Sequence, residues 1–322
     1  MDSLRVGNIE VQKGEKAYGF LVAEDDDSAI VKLLVGIVKG SEFGPVLCVT
    51  GGMFGTIYTG IDACIRIYDQ LDPNKLRGTV VTVPVIEMTG FQKCMDESPI
   101  DNLNPNRIFP GDPDGTITHR IAHLIFDEVI RKSQYHLDLR GGDLWEQLIT
   151  FAISCQMGNT ELDSRAEELA RALGTEYYLG MPEQKGTLIS EASRIGVCSI
   201  ILEASKGLAT YDEEDIQFNV TGIQNILKHL RMVDGKPTLP AKQRREEYKI
   251  HIVRAERGGL LYLNCRCGEM ARKGQKLGDV KNLKGQTLQE VVAPIDGIIH
   301  YMFPKHIKNP GERILGIRRI ID

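Results

Sequence analysis

The chain reads as an α/β protein with a smaller all-β domain at its C-terminal end. Three observations carry this reading. From residue 29 to about 235, short runs rich in Val, Ile and Leu alternate with longer runs of helical spacing. Around 233–245 (VDGKPTLPAKQRR) prolines and basic residues break that periodicity. Beyond 249 no helical spacing persists, and glycine turns separate short strand-like runs such as GGLLYL and VVAPIDGIIHYM. A chain of 322 residues exceeds what one hydrophobic core usually supports, which fits a two-part division. The expected boundaries are an N-terminal segment at 1–28, an α/β domain at 29–235, a linker at 236–248 and a β domain at 249–322.

The first expected strands are 29–36 (AIVKLLVG) and 44–50 (GPVLCVT), both short, apolar and bordered by glycine. Helical spacing follows over 58–71 and stops at Asp72-Pro73. Residues 78–85 (GTVVTVPV) form a buried strand by the same test. From 87 to 113 the chain is polar and proline-rich, too long for a passive connection and therefore a functional loop. A helix over 118–132 precedes a strand at 136–139, which runs into Arg140-Gly141-Gly142. The helix-then-strand order recurs at 161–173 and again at 186–203. Such alternation predicts a mostly parallel or mixed sheet with its ligand site at the carboxyl ends of the strands.

Composition narrows the partners. Hydrophobic residues at 42% and charged residues at 26% are ordinary for a globular protein, and a net charge of −5 gives no electrostatic reason for nucleic acid or an anionic membrane. A small-molecule substrate is the expected partner, and self-association is left open. The N-terminal run MDSLRVGNIEVQKGEKAYG has no apolar stretch of signal-peptide length, so the expected location is cytoplasmic. Seven scattered cysteines suit buried thiols in a reducing compartment; Cys265 and Cys267 form a C-x-C pair without a second pair to complete a metal set.

Several segments, taken in order, resemble the succinylglutamate desuccinylase/aspartoacylase family, relatives of the zinc carboxypeptidases. They are Gly51-Gly52 with Gly55 and Gly60 after a strand, LDPNKLRGTVVTVPV, SPIDNLNPNRIFPGDPDG, the strand end LDLRGG, and IILEASKG. The resemblance covers roughly residues 30–320. It implies a zinc-carboxypeptidase-like mixed sheet flanked by helices, a C-terminal domain like a carrier barrel, and an enzyme acting on N-acyl amino acids. No lysine stands in the hairpin context that lipoylation or biotinylation needs, so no cofactor is expected.

The resemblance also implies zinc, and here the sequence departs from it. The family's first ligands come from H-G-x-E, where this chain has Phe54-Gly55-Thr56-Ile57, and its third from D-L-H, where this chain has Asp138-Leu139-Arg140. A phenyl ring and an alkyl chain cannot coordinate a metal, and a guanidinium repels one. Other family features remain. Asn106 and Arg107 match the pair that binds the substrate carboxylate, and Glu203 matches the general base. Glu87 stands where asparagine is common, Cys94 where an arginine often appears, and Pro105 where leucine is usual.

Arg140 is the most informative residue. It either stabilises negative charge on a substrate, as oxyanion donors do, or pairs with Asp138 or Glu203 as a buried structural ion pair. Glu203 is correspondingly a proton-transfer group or a counter-ion. His136 and Asp138 alternate onto one face of their strand, and with Glu203 they offer an alternative metal set. His119 and His123 share a helix face, with capping or solvation as the plainer role. Asp112 and Asp114 read as turn formers and Asp101 as a partner for Arg107, while Glu87, Asp96 and Glu97 would make the pocket mouth acidic. Trp145 and Tyr211 are candidate pocket aromatics.

Two functions follow. One is a metal-independent enzyme that cleaves a C–N bond of a small N-substituted amino acid, by amide hydrolysis or lyase-type elimination. In it Glu203 and Arg140 are catalytic, and Asn106, Arg107, Asp138 and Glu87 bind substrate. The other is a non-catalytic small-molecule-binding or regulatory relative of the zinc deacylases.

Overall fold

The computed structural model describes residues 3–24 and 30–321. Ala29, the first residue of the strand expected at 29–36, lies outside them. The N-terminal region, for which no elements were expected, forms an antiparallel hairpin, β1 (Ser3–Val6) and β2 (Ile9–Gln12). It continues into β3 (Lys16–Glu24), which pairs antiparallel with β4 (Ile30–Lys39). The chain then runs through β5 (Glu42–Thr50), β6 (Arg77–Val83), β7 (Tyr135–Arg140), the short β8 (Gln147–Leu148), β9 (Phe151–Gln156), β10 (Tyr177–Pro182), β11 (Cys198–Glu203) and β12 (Arg244–Arg245). All of these except β1, β2 and β8 form one nine-stranded mixed sheet in the order β12-β10-β9-β11-β7-β5-β6-β4-β3. Its centre, β6, β5, β7 and β11, is parallel.

Helices cover both faces. They are α1 (Tyr58–Gln70), α2 (Met88–Lys93), α3 (Ile117–Glu128), α4 (Thr160–Ala172), α5 (Leu188–Arg194) and α6 (Glu213–His229). Strand alternation decides what each face receives. Leu47, Val49, Leu137, Leu139, Ile200 and Leu202 pack with Ile67 of α1, Leu169 of α4 and Ile223 of α6. On the opposite face Cys48, Val81 and Val83 meet Ile121 and Ile125 of α3 and Leu188 and Ala192 of α5. The same alternation sends Thr50, His136, Asp138, Arg140, Ser199 and Glu203 to that second face, where they form its polar end.

Neighbours β6 and β7 lie on either side of β5, so the sheet has a switch point beyond the carboxyl end of β5. In open α/β sheets ligands bind in the crevice at that point. The turn Gly51-Gly52-Met53-Phe54 enters it. The long loop at 87–113 lies alongside and is not featureless, since it holds α2 and a 3₁₀ turn at Pro105–Arg107.

The C-terminal part contains β13 (His251–Arg254), β14 (Gly259–Leu263), β15 (Met270–Ala271), β16 (Lys276–Lys281), β17 (Thr287–Val292), β18 (Gly297–Met302), β19 (Ile307–Lys308) and β20 (Arg313–Arg318). They make two antiparallel sheets around Leu261, Val280, Val291, Ile299, Ile314 and Ile317. Strand β8 leaves the α/β part to pair with β18, and β12, inside the expected linker, pairs parallel with β10. An apolar seam of Leu148, Phe151 and Ile153 against Tyr301 joins the two parts. Among the described residues no helix is long and apolar enough to cross a membrane.

Candidate active site

Where the parallel strands end against the C-terminal sheets lies an open-mouthed cavity of about 500 Å³. Phe54, Arg107, Arg140 and Glu203 line it, as do Asp96, Asn104, Asp143, Glu146, Tyr248, Tyr301, Phe303, Arg313 and Arg318. Arg140 and Glu203 are register partners at the ends of β7 and β11, so their side chains leave the same face of the sheet side by side.

A buried hydrogen-bond chain fixes Arg140. Its Nε donates to Asp138 Oδ2 at 2.6 Å, and Asp138 Oδ1 accepts from the Thr50 hydroxyl at 2.7 Å. Thr50 has one proton and gives it to Asp138, so the His136 Nε2–H must donate to Thr50 Oγ1, 3.0 Å away. His136 Nδ1 is then the acceptor of the Ser199 hydroxyl at 2.7 Å. This tautomer is neutral, in keeping with burial, which pushes the His136 pKa down to about 4 against the attraction of Asp138. Both ring nitrogens of His136 and both carboxylate oxygens of Asp138 are engaged, which holds Arg140 in one orientation. Arg140 is 7% exposed, and its buried Nη2 has no hydrogen-bond partner among the described residues. Sequence reasoning misses Thr50 and Ser199, whose only signal is that their strand-face positions alternate with apolar residues.

Glu203 is partly exposed at the cavity wall, and no hydrogen bond ties its carboxylate among the described residues. Burial raises its pKa to about 7; Arg140 opposes this, Asp138 adds to it, and Arg318 opposes it. Glu146, on the segment leading into β8, was also unforeseen. Burial raises its pKa to about 8, Asp143 and Glu203 push it further up, and Arg313 works against them. Arg318, only 5% exposed, donates to the carbonyl oxygens of Glu247 and Tyr248 and lies between the rings of Tyr248 and Tyr301. No local sequence signal marks Arg318, because the register of β20 against β18 brings it to the cavity.

Other expected residues sit elsewhere. Glu87 is turned away from the cavity and caps α2, accepting from Gly90 N and the Thr89 hydroxyl. Asn106 Oδ1 accepts from Leu188 N at 3.0 Å, capping α5, whose own N-cap residue Thr187 makes no such bond. Asp138 stands behind Arg140 and does not line the cavity. Asp101 bonds Thr116 and Thr118 and does not reach Arg107. Arg107 is exposed at the rim, and among the described residues its one side-chain hydrogen bond is to its own neighbour's carbonyl at Asn106. Asp112 accepts from Asp114 N in a turn, and His119 bonds Thr116 at the start of α3. Trp145 and Tyr211 are exposed and lie off the cavity wall. Cys265 and Cys267 point their thiols at backbone carbonyls.

The mixed sheet, the switch-point cavity and the C-terminal sheets that close it define a carboxypeptidase-like α/β fold. The family model for the succinylglutamate desuccinylase/aspartoacylase catalytic domain matches residues 43–230, and the chain belongs to that family. A relative, the N-alpha-acetyl-L-2,4-diaminobutyric acid deacetylase of Halomonas elongata, is 30% identical over 95% of this chain and 92% of its own. Among solved structures, the product-bound ectoine utilization protein EutE (DoeB) of Ruegeria pomeroyi shares the fold with a TM-score of 0.89 at 22% identity, covering 99% of each chain. A succinylglutamate desuccinylase/aspartoacylase from Rhodobacter sphaeroides shares it at 0.86 and 24% identity, covering 95% of this chain and 96% of its own.

The residues present do not fit the zinc that this family implies. Phe54 presents a ring at the cavity wall with the Arg140 guanidinium 5.9 Å from its centroid, and Ile57 is a buried alkyl chain, 2% exposed. The alternative set fails too, because both ring nitrogens of His136 and both oxygens of Asp138 are engaged. Among the described residues no three His, Cys, Asp or Glu side chains are grouped to hold a metal ion.

Proposed function

We propose that the protein cleaves the C–N bond of a small N-substituted amino acid, an amide in the simplest case, without a metal ion. The observation that carries this reading is the fixed guanidinium of Arg140 at the cavity wall, its buried Nη2 without a hydrogen-bond partner, beside a Glu203 carboxyl that also has none among the described residues. In a protein-walled cavity a donor aimed at developing charge is worth far more than in water. Arg140 would donate to the carbonyl oxygen. Glu203, ionised, would take a proton from water as the water oxygen attacks the carbonyl carbon. Arg140 would hold the resulting oxyanion, and the C–N bond would break as the nitrogen regains a proton. A pKa of about 7 leaves Glu203 able to accept and return a proton near neutral pH. An eliminating lyase would use the same base on a C–H bond.

Arg107 is the remaining candidate for the substrate carboxylate, since it reaches the cavity and has no acidic partner among the described residues. The H. elongata relative, named for an N-acetylated diamino acid, supports an N-acyl amino acid as the substrate class. The test is a panel of N-acetyl and N-succinyl amino acids, including Nα-acetyl-2,4-diaminobutyrate, followed by release of free α-amine. Turnover is expected, with Arg140→Ala and Glu203→Gln each lowering kcat by about 10²–10³-fold and moving KM much less. Saturable binding without turnover would instead make the protein a binding relative.

A further inference from the structure

We propose that Glu146 is a second catalytic carboxyl, the proton donor to the leaving nitrogen, so that Glu146 and Glu203 share the acid–base work as a pair. This deepens the hydrolytic reading above and rests on it.

Position is the first support. Glu146 immediately precedes β8, whose Gln147 and Leu148 pair with Met302 and Tyr301 of β18. It therefore belongs to the segment that ties the α/β part to the C-terminal sheets. Its backbone is clamped from the other side by two glycines. A Cβ added at Gly207 would fall 1.7 Å from the Glu146 carbonyl oxygen, and one at Gly142 would fall 2.6 Å away. The side chain lines the same cavity as Glu203 and Arg140. Neither Glu146 nor Glu203 has a hydrogen-bonded carboxyl among the described residues, whereas the carboxylates that serve structure do: Glu87 caps α2, Asp138 holds Arg140 and Asp215 accepts from Lys206 N.

Neighbouring acids alone would not make a site. The independent observation is Arg140, more than nine-tenths buried, which lines that cavity and whose buried Nη2 has no hydrogen-bond partner among the described residues. It calls for an electron-rich ligand atom beside the two carboxyls, as the carbonyl oxygen of an amide would supply.

The surroundings divide the roles. Asp143, Glu203 and Asp96 face Glu146 with negative charge, and Arg313 is the cation that opposes them. Around Glu203 the guanidiniums of Arg140 and Arg318 outnumber Asp138. Between about 7 and 8 the pair's remaining proton therefore sits mainly on Glu146, with Glu203 mainly ionised. Environments that separate two neighbouring carboxyls assign the acid and the base. In the reaction Glu203 takes a proton from water as the new C–O bond forms. Glu146 gives its proton to the nitrogen as the C–N bond breaks. One water is consumed, an amine and a carboxylic acid leave, and the proton passes from Glu203 back to Glu146 to reset the pair.

Two experiments test this. The first needs no substrate: ¹³C-carboxyl NMR titration of glutamate-labelled wild type, Glu146→Gln and Glu203→Gln. Two carboxyls with midpoints near 7 and 8 are expected; Glu203→Gln should lower the Glu146 midpoint, whereas Glu146→Gln, which replaces a group still protonated as Glu203 titrates, should leave the Glu203 midpoint near 7. Glu146 titrating with the exposed carboxyls, or indifferent to Glu203→Gln, overturns the proposal. The second is the pH dependence of kcat/KM for Nα-acetyl-2,4-diaminobutyrate and for an ester analogue of it, whose leaving oxygen needs less protonation. Glu146→Gln should lose the alkaline limb and about 10²–10⁴-fold in rate on the amide, with a much smaller loss on the ester. An unchanged profile in Glu146→Gln, or equal losses on amide and ester, removes Glu146 from the chemistry. Full activity in Glu203→Gln would instead bring down the hydrolytic reading itself.

Discussion

Arg140 gives its Nε–H to Asp138 at 2.6 Å and leaves its buried Nη2 without a partner among the described residues, so the guanidinium is anchored on one edge while the side chain lines the cavity. A buried ion pair and a ligand-facing donor are thus the same side chain, and the structural and functional alternatives for Arg140 are not exclusive.

Removing the anchor should cost both stability and rate. Asp138→Asn leaves a buried guanidinium without its counter-charge, which typically destabilises by about 3–5 kcal/mol. Urea denaturation should register that loss. Turnover measured well below the unfolding transition should fall with kcat more than with KM, because the orientation of Arg140 is what is lost.

Asn106 and Arg107 are adjacent in sequence but should separate in experiment. Asn106→Ala removes the cap from α5 and should cost about 1 kcal/mol of stability with little change in KM. Arg107→Ala, at an exposed rim position, should leave the melting temperature alone and raise KM. Reversed outcomes would return Asn106 to the substrate.

Glu246 and His300 form a second buried pair, 2.9 Å apart, outside the cavity wall. Burial raises the Glu246 carboxyl to about 8 and drives His300 well below its ordinary value, Arg318 opposing the first and reinforcing the second. Folded, the pair keeps its proton on the carboxyl; unfolded, between about 4.5 and 6.5, the proton sits on the histidine. Both states then hold one proton, and the pair adds no slope. From about 6.5 to about 8 the folded pair retains a proton that the unfolded chain has released, so stability falls as pH rises. Below about 4.5 the unfolded chain holds the extra proton, and stability falls as pH drops. Glu246→Gln should abolish the alkaline slope, which reaches roughly 1.4 kcal/mol per pH unit. Melting curves of wild type and variant should converge or cross between about pH 6.5 and 8, and a constant offset would contradict this.

Gly207 has φ of +90° and no room for a side chain against the Glu146 carbonyl. Gly207→Ala should destabilise by about 1–3 kcal/mol and shift the segment bearing Glu146. If Glu146 is the proton donor, the variant's remaining activity should show the same amide-over-ester loss as Glu146→Gln.

Much of the site's first layer was legible, and the reason is periodicity. In YHLDLR the alternation of β7 puts His136, Asp138 and Arg140 on one face, and the register with β11 then sets Glu203 beside Arg140. What was not legible depends on distant register or on hydrogen-bond partners. Arg318 and Tyr301 reach the cavity only through the pairing of β20 with β18, which shifts register near Tyr301. Asn106 and Glu87 looked like ligand residues because amide and carboxyl groups serve helix N–H groups equally well. Two further elements carry plain local signals. Asp212 caps α6 ahead of Ile216, Val220, Ile223 and Leu227 at helical spacing, and FAISCQ in β9 is a short apolar run.

Metal content and turnover measured on one sample test the metal-free guanidinium site most directly. Protein treated with chelator and desalted should contain far less than one zinc per chain and turn over the best N-acyl amino acid of the panel at the untreated rate. One zinc per chain, or activity lost to the chelator and restored by zinc, would contradict it.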